Sequence, residues 1–75
     1  MKYKYKVGDV VKYRSDDYFM IYKVISFVKG DYEVIHLINK WVPSMQGSTR
    51  LCDKYTLESA YELIPNPEMY IILYG

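Results

Sequence analysis

The chain opens on strict alternation. Residues 2–7 read Lys-Tyr-Lys-Tyr-Lys-Val, which puts Tyr3, Tyr5 and Val7 on one face of a strand. Gly8-Asp9 breaks the run and Val10-Val11-Lys12-Tyr13 resumes it. Ser15-Asp16-Asp17 has turn chemistry. Residues 18–28 are nearly all apolar or aromatic, and Tyr18, Ile21, Tyr22 and Ile25 also satisfy helical spacing. Composition decides for a strand, because β-branched and aromatic side chains lose χ1 freedom in a helix and fit a pleated surface. Lys29-Gly30 then makes a tight turn, and residues 31–39 return as the second arm of a hairpin. Two core faces fit this hairpin. One carries Met20, Tyr22 and Val24 with Tyr32, Val34 and His36; the other carries Ile21 and Ile25 with Ile35 and Leu37. Both are apolar, so both are expected to be partly covered.

The second half is punctuated more often. Residues 40–49 have loop composition, with Pro43, Gly47 and three hydroxyl residues. A short strand is expected within 50–55. Leu57, Ala60, Tyr61 and Ile64 then fall at helical spacing behind Thr56 as N-cap, giving one or two helical turns before a short strand near 61–64. Pro65-Asn66-Pro67 ends that element, and Met69 to Tyr74 reads as a final strand. No repeat, linker or low-complexity stretch interrupts the chain.

Seventy-five residues make one domain. A chain of that length buries only about 60% of the surface its unfolded form exposes, so its stability is tight. The hydrophobic fraction of 51% includes ten tyrosines. No apolar run is long enough to span a bilayer, a lone cysteine allows no internal disulfide framework, and no Cys/His set matches a structural zinc site. No cofactor is expected. The absence of an apolar leader after the basic start and the single thiol read as cytoplasmic. Eight lysines to two arginines, with abundant Tyr and Ile, suggest an AT-rich genome, such as that of a low-GC bacterium or its phage, with the host cytoplasm as the compartment in the second case.

A net charge of +1 is too neutral for a polyanion binder acting through bulk charge. The distribution is uneven: residues 1–14 carry +4 and the remainder −3. A basic edge strand that discourages aggregation accounts for this. A phosphate-binding or acidic-partner patch is the functional counterpart.

The segment Tyr5-Lys6-Val7-Gly8-Asp9-Val10-Val11-Lys12 resembles the first strand of SH3-like barrels. It is similar to the small bacterial and phage domains of the YodC-like and KOW/Tudor-like groups. There Gly-Asp turns into a strand, a polar loop follows, and a hairpin comes next. Met20 to Val24, Tyr32 to Val34 and the Leu57 to Leu63 segment match in order and spacing. The resemblance spans about residues 4–64 and implies a mainly β fold. The expectation is a small SH3-like barrel of about five strands, with one short helical turn and an extra C-terminal strand over 69–74. The chain departs from the YodC-like pattern at Val34-Ile35-His36, where that group has Cys-x-Trp, and its own Trp lies in the next loop. The resemblance therefore carries over no functional residue.

Candidate chemistry is sparse. His36 and Cys52 alone offer a base and a nucleophile, sixteen residues apart with no orienting motif, so a non-enzymatic protein is expected. Asp16-Asp17 signals a turn before it signals a cation site, and no metal ligands are assigned. Trp41 either anchors a partner or caps the barrel end. The leading expectation is a protein-interaction module, of the kind a phage or mobile element uses to modulate a host protein. Its partner-binding residues are Trp41, Met45, Tyr18 and Tyr55. The alternative is nucleic-acid binding by Lys2, Lys4, Lys6, Lys12 and Arg14 interleaved with Tyr3, Tyr5 and Tyr13. The apolar segment 69–74, an additional strand beside a barrel already complete, leads to an expectation of homodimers or higher assemblies through that strand.

Overall fold

The computed structural model describes residues 2–14, 20–66 and 68. Five strands, β1 (Val10–Tyr13), β2 (Met20–Val28), β3 (Asp31–Asn39), β4 (Thr49–Cys52) and β5 (Tyr61–Leu63), form one antiparallel sheet in the order β4-β3-β2-β1-β5. A 3-10 turn (Pro43–Met45) precedes β4, and the helix α1 (Lys54–Ala60) joins β4 to β5. The fold is mainly β, as the alternation and residue types predict. The sheet is open between its edge strands β4 and β5, and α1 spans that gap. The turn at 15–17, residues 18 and 19 of the expected β2, and the expected strand 69–74 with the assembly assigned to it lie outside the described residues.

The hairpin turn is as short as predicted. Lys29 and Gly30 both have positive φ, 51° and 86°, the conformation that a two-residue turn between right-twisted strands requires. Two register shifts interrupt the β2–β3 ladder, leaving Ile25 and Leu37 without a cross-strand partner. Each is a bulge that reverses the inside–outside alternation of its strand. After Tyr22 and Val24 it is therefore Phe27, three residues on, that faces Tyr32.

The bulges settle which face is the core. Tyr22, Val24, Tyr32 and Val34 are fully buried, and they pack with Val11, Cys52, Leu57, Tyr61 and Tyr5. All five strands, α1 and the N-terminal segment thus contribute to one cluster, which requires the sheet to curl around it. The opposite face carries a smaller buried cluster of Val10, Ile21, Ile38 and Ile64. Ile25, Ile35 and Leu37, the rest of the second predicted face, are only half-buried.

Two local expectations fail. Residues 2–7 are not a strand. The Lys6 N–H donates to the Asp9 carboxylate (3.0 Å) and the Asp9 N–H to the Lys6 carbonyl (3.0 Å), closing a turn in which Gly8 takes φ 98°. That turn swings Val7 out to 56% exposure while Tyr5 is buried. The helix N-cap is Asp53, not Thr56: its carboxylate accepts the Thr56 N–H at 3.0 Å, the geometry of a cap three residues ahead of its donor.

Candidate partner-binding surface

The loop 40–48 leaves β3 and returns as β4. Asn39, the last residue of β3, is buried and organises it. Its Oδ1 accepts the backbone N–H groups of Trp41 (3.1 Å) and Val42 (2.9 Å), an Asx-type arrangement. Its own N–H donates to Gln46 Oε1 at 3.0 Å. Pro43 enters the 3-10 turn at a position that needs no N–H, and Met45 N–H reaches the Val42 carbonyl at 2.9 Å. The loop's far end is tied to His36, whose carbonyl accepts the Gly47 N–H (2.7 Å) and whose N–H donates to the Ser48 carbonyl (2.9 Å).

The His36 ring lies beneath this loop, 2% exposed, and meets the Tyr22 ring edge to face at 4.8 Å. Its Nδ1 is 3.3 Å from Asn39 Nδ2. Because Asn39 Oδ1 is committed to two N–H groups, the Asn39 amide nitrogen faces His36 and donates to Nδ1. The proton of the neutral ring is then on Nε2, which has no hydrogen-bond partner among the described residues. Burial, reinforced by the positive charge of Arg50, holds the imidazole below its ordinary pKa.

Above this buried base, Trp41 is 68% exposed, Val42 48% and Met45 39%. Trp41 and Met45 therefore share one short, backbone-pinned loop. Tyr55, also expected in the binding set, is exposed on α1. The Lys54 N–H donates to Asp31 at the β2–β3 turn, which places Tyr55 at the other end of β3, about 25 Å away at ~3.3 Å per residue. Trp41, Met45 and Tyr55 do not form one patch, and Tyr18 lies outside the described residues. Asn39 and Gln46 are the residues sequence reasoning missed, and His36 was weighed there only as a core side chain or a base. The available signal was an Asn two positions before the loop's Trp, where an Asx turn is expected.

The basic set is divided as well. Lys12 pairs with Glu62 at 2.9 Å on the β1–β5 side, where Arg14 Nε donates to the Tyr61 carbonyl and Tyr13 packs edge-on against Tyr61. The Lys12 ammonium in turn holds the Glu62 carboxyl below its usual range. The Lys2–Lys6 segment instead crosses to α1. The Lys4 N–H donates to Glu58 Oε2 (2.8 Å), and Tyr3 stacks on Phe27 at 4.1 Å. Tyr5 is buried and its hydroxyl donates to the Tyr61 carbonyl at 3.0 Å. A base cannot stack on it. A hollow of about 600 Å³ beside Tyr55 is lined by Lys4, Lys29, Asp31, Lys54 and Glu58, and Glu58 there already accepts from Lys4, Lys54 and Tyr32.

His36 and Cys52 are not paired. Cys52 lies opposite Tyr32, four residues along β3 from His36, about 13 Å away. Burial raises the Cys52 thiol pKa. Among the described residues, no group of three or more His, Cys, Asp or Glu side chains could hold a metal ion, and no helix is long and apolar enough to cross a membrane.

No protein-family model matches the chain, and neither curated proteins nor solved structures give a match.

Proposed function

We propose that the protein is a non-enzymatic interaction module that docks a protein partner through the loop 40–48, with Trp41 as anchor and Val42 and Met45 beside it. The carrying observation is a large aromatic at 68% exposure on a backbone pinned at both ends to buried residues. An exposed Trp buries much area with few rotamers to freeze, and a pre-ordered loop loses little further entropy on binding. The order β5-β1-β2-β3-β4 with a short helix before the last strand supports an SH3-like reading of the module. A host protein modulated by a small phage or mobile-element product is the partner class this reading favours. Immobilised full-length chain, Trp41→Ala and Tyr55→Ala are compared for proteins retained from host lysate. The expected result is a protein kept by wild type and Tyr55→Ala and lost with Trp41→Ala. A set unchanged by Trp41→Ala overturns the proposal.

A further inference from the structure

Resting on that reading, we propose that His36 is a proton switch for the docking loop: protonating its ring releases the hydrogen bonds that hold Trp41 and Val42. Asn39 Oδ1 accepts from the Trp41 and Val42 N–H groups, so its Nδ2 donates to His36 Nδ1. The neutral ring already carries its hydrogen on Nε2. An incoming proton therefore goes to Nδ1, and two donors then face each other at 3.3 Å. Turning the Asn39 amide relieves the clash, because Oδ1 then accepts from Nδ1–H. The same turn withdraws Oδ1 from the loop and presents an NH₂ group to two backbone N–H donors. The start of the loop cannot keep its arrangement in both protonation states.

The surroundings favour the neutral ring. From β2, Tyr22 meets the imidazole edge to face; from β4, Arg50 supplies a positive charge; on β3 the neighbour is the uncharged Asn39. Among the described residues facing the ring, none is a carboxylate that would stabilise the imidazolium. Burial, with the Arg50 charge added to it, holds the imidazole below its ordinary value of 6.5. Docking is thus competent at neutral pH and weakens on acidification.

The test uses the full chain and needs no partner. His36 is the only histidine and Trp41 the only tryptophan, so their NMR signals are unambiguous. The His36 ring, the Asn39 side-chain NH₂ and the Trp41 and Val42 amides are followed from pH 8 downwards. The expected result is one single-proton transition below 6.5, shared by all four, with Trp41 and Val42 amide protons moving upfield as their acceptor leaves. Core amides such as Val24 stay unchanged. In His36→Gln, which keeps an acceptor but cannot titrate, the loop transition disappears. Asn39→Ala shows loop shifts at pH 8 resembling those of acidified wild type. Loop amides that ignore the His36 midpoint overturn the switch, as does a transition that survives in His36→Gln. So does a ring that stays neutral until the whole chain unfolds, or a His36 midpoint coinciding with global unfolding. Each of those outcomes leaves docking through Trp41 standing, whereas a lysate result indifferent to Trp41→Ala removes the docking reading and leaves the titration intact.

Discussion

Replacing Tyr32 by Phe tests what holds the N-terminal segment and α1 to the sheet. The Tyr32 hydroxyl accepts the buried Tyr5 N–H at 3.1 Å and donates to Glu58 Oε2. Glu58 also receives the Lys4 N–H (2.8 Å) and the Lys54 ammonium (3.0 Å). Phenylalanine keeps the ring and its packing, so the perturbation is confined to one oxygen. It leaves the Tyr5 N–H without an acceptor, worth about 1–3 kcal/mol, and removes a charge-assisted bond worth about 1.5–3 kcal/mol, partly offset by water reaching Glu58; a net loss of about 2–4 kcal/mol follows. In a domain of this size each kcal/mol lowers Tm by about 4–8 °C, so the variant should melt at least about 8 °C early.

The pH dependence distinguishes this lock from simple loss of packing. Burial raises the Glu58 pKa, but the donors from Lys4, Tyr32 and Lys54 outweigh it and bring the carboxyl from 4.5 down to about 2. A depressed carboxylate stabilises the fold fully above its unfolded pKa and ceases to do so as pH falls through its folded pKa. The shift corresponds to ~3 kcal/mol in full, and the side chain's 19% exposure discounts this to about 1–2 kcal/mol. Wild type should therefore lose stability between pH 4.5 and 2, and the gap to Tyr32→Phe should narrow over the same window. Tyr32 itself is pushed up to about 12 by burial and by Glu58, so wild type should also lose stability above pH 10 through this group, and the variant less. Urea midpoints at constant m-value report both. A Tyr32→Phe midpoint within about 0.5 kcal/mol of wild type, or a gap unchanged from pH 7 to pH 2.5, would refute the reasoning.

Three further outcomes follow from local substitutions. Lys29→Asn should stabilise by about 0.5–1 kcal/mol in chemical denaturation, since Asn tolerates the φ of 51° that Lys29 adopts; no gain would mean that the turn is relaxed as it stands. Leu57→Ala should cost about 2–5 kcal/mol, because this fully buried side chain brings α1 onto the core; a Tm unchanged on scanning calorimetry would show that α1 is dispensable. Replacing Lys2, Lys4 and Lys6 together by Gln should leave stability within about 0.5 kcal/mol and partner retention unaltered; loss of single-stranded nucleic-acid binding in a salt titration would instead promote the basic segment to a functional site.

Much of the fold was legible because its signals are local. The Lys29-Gly30 turn follows from a requirement for positive φ, and β2 follows from a density of side chains that fit only a pleat. The choice of core face was not legible, because it depends on two bulges. Nothing in the residue types at Ile25 or Leu37 marks them as the extra residues, yet each reverses the alternation of its strand. The N-terminal Lys-Tyr repeat misled for the opposite reason: the period-two pattern was real, but the Lys6–Asp9 turn is a side-chain–backbone preference that outweighs it. At the candidate site, Trp41 and Met45 were visible by type. Their anchors were not, since the roles of His36 and Asn39 come from contacts across the loop they hold.

The tyrosines explain how so short a chain closes a core with a single sheet. An aliphatic side chain at the margin of the cluster would bury area and stop there. Tyrosine buries a comparable area and ends in a group that can bind whatever lies over it. Tyr5 reaches the Tyr61 carbonyl, Tyr32 reaches Glu58 on α1 and the Tyr5 N–H, and Tyr22 receives Arg50 from β4 at 3.5 Å. Each of these hydroxyls binds a different covering element: β5, α1 with the N-terminal segment, and β4. They work inside the fold instead of pointing to solvent, where a thin barrel with outward hydroxyls would place them. This is why the exposed aromatic area at the loop 40–48 supports the proposed docking role. In a chain that commits Tyr5, Tyr22, Tyr32 and Tyr61 to the core, its one tryptophan, 68% exposed, stands outside that scheme.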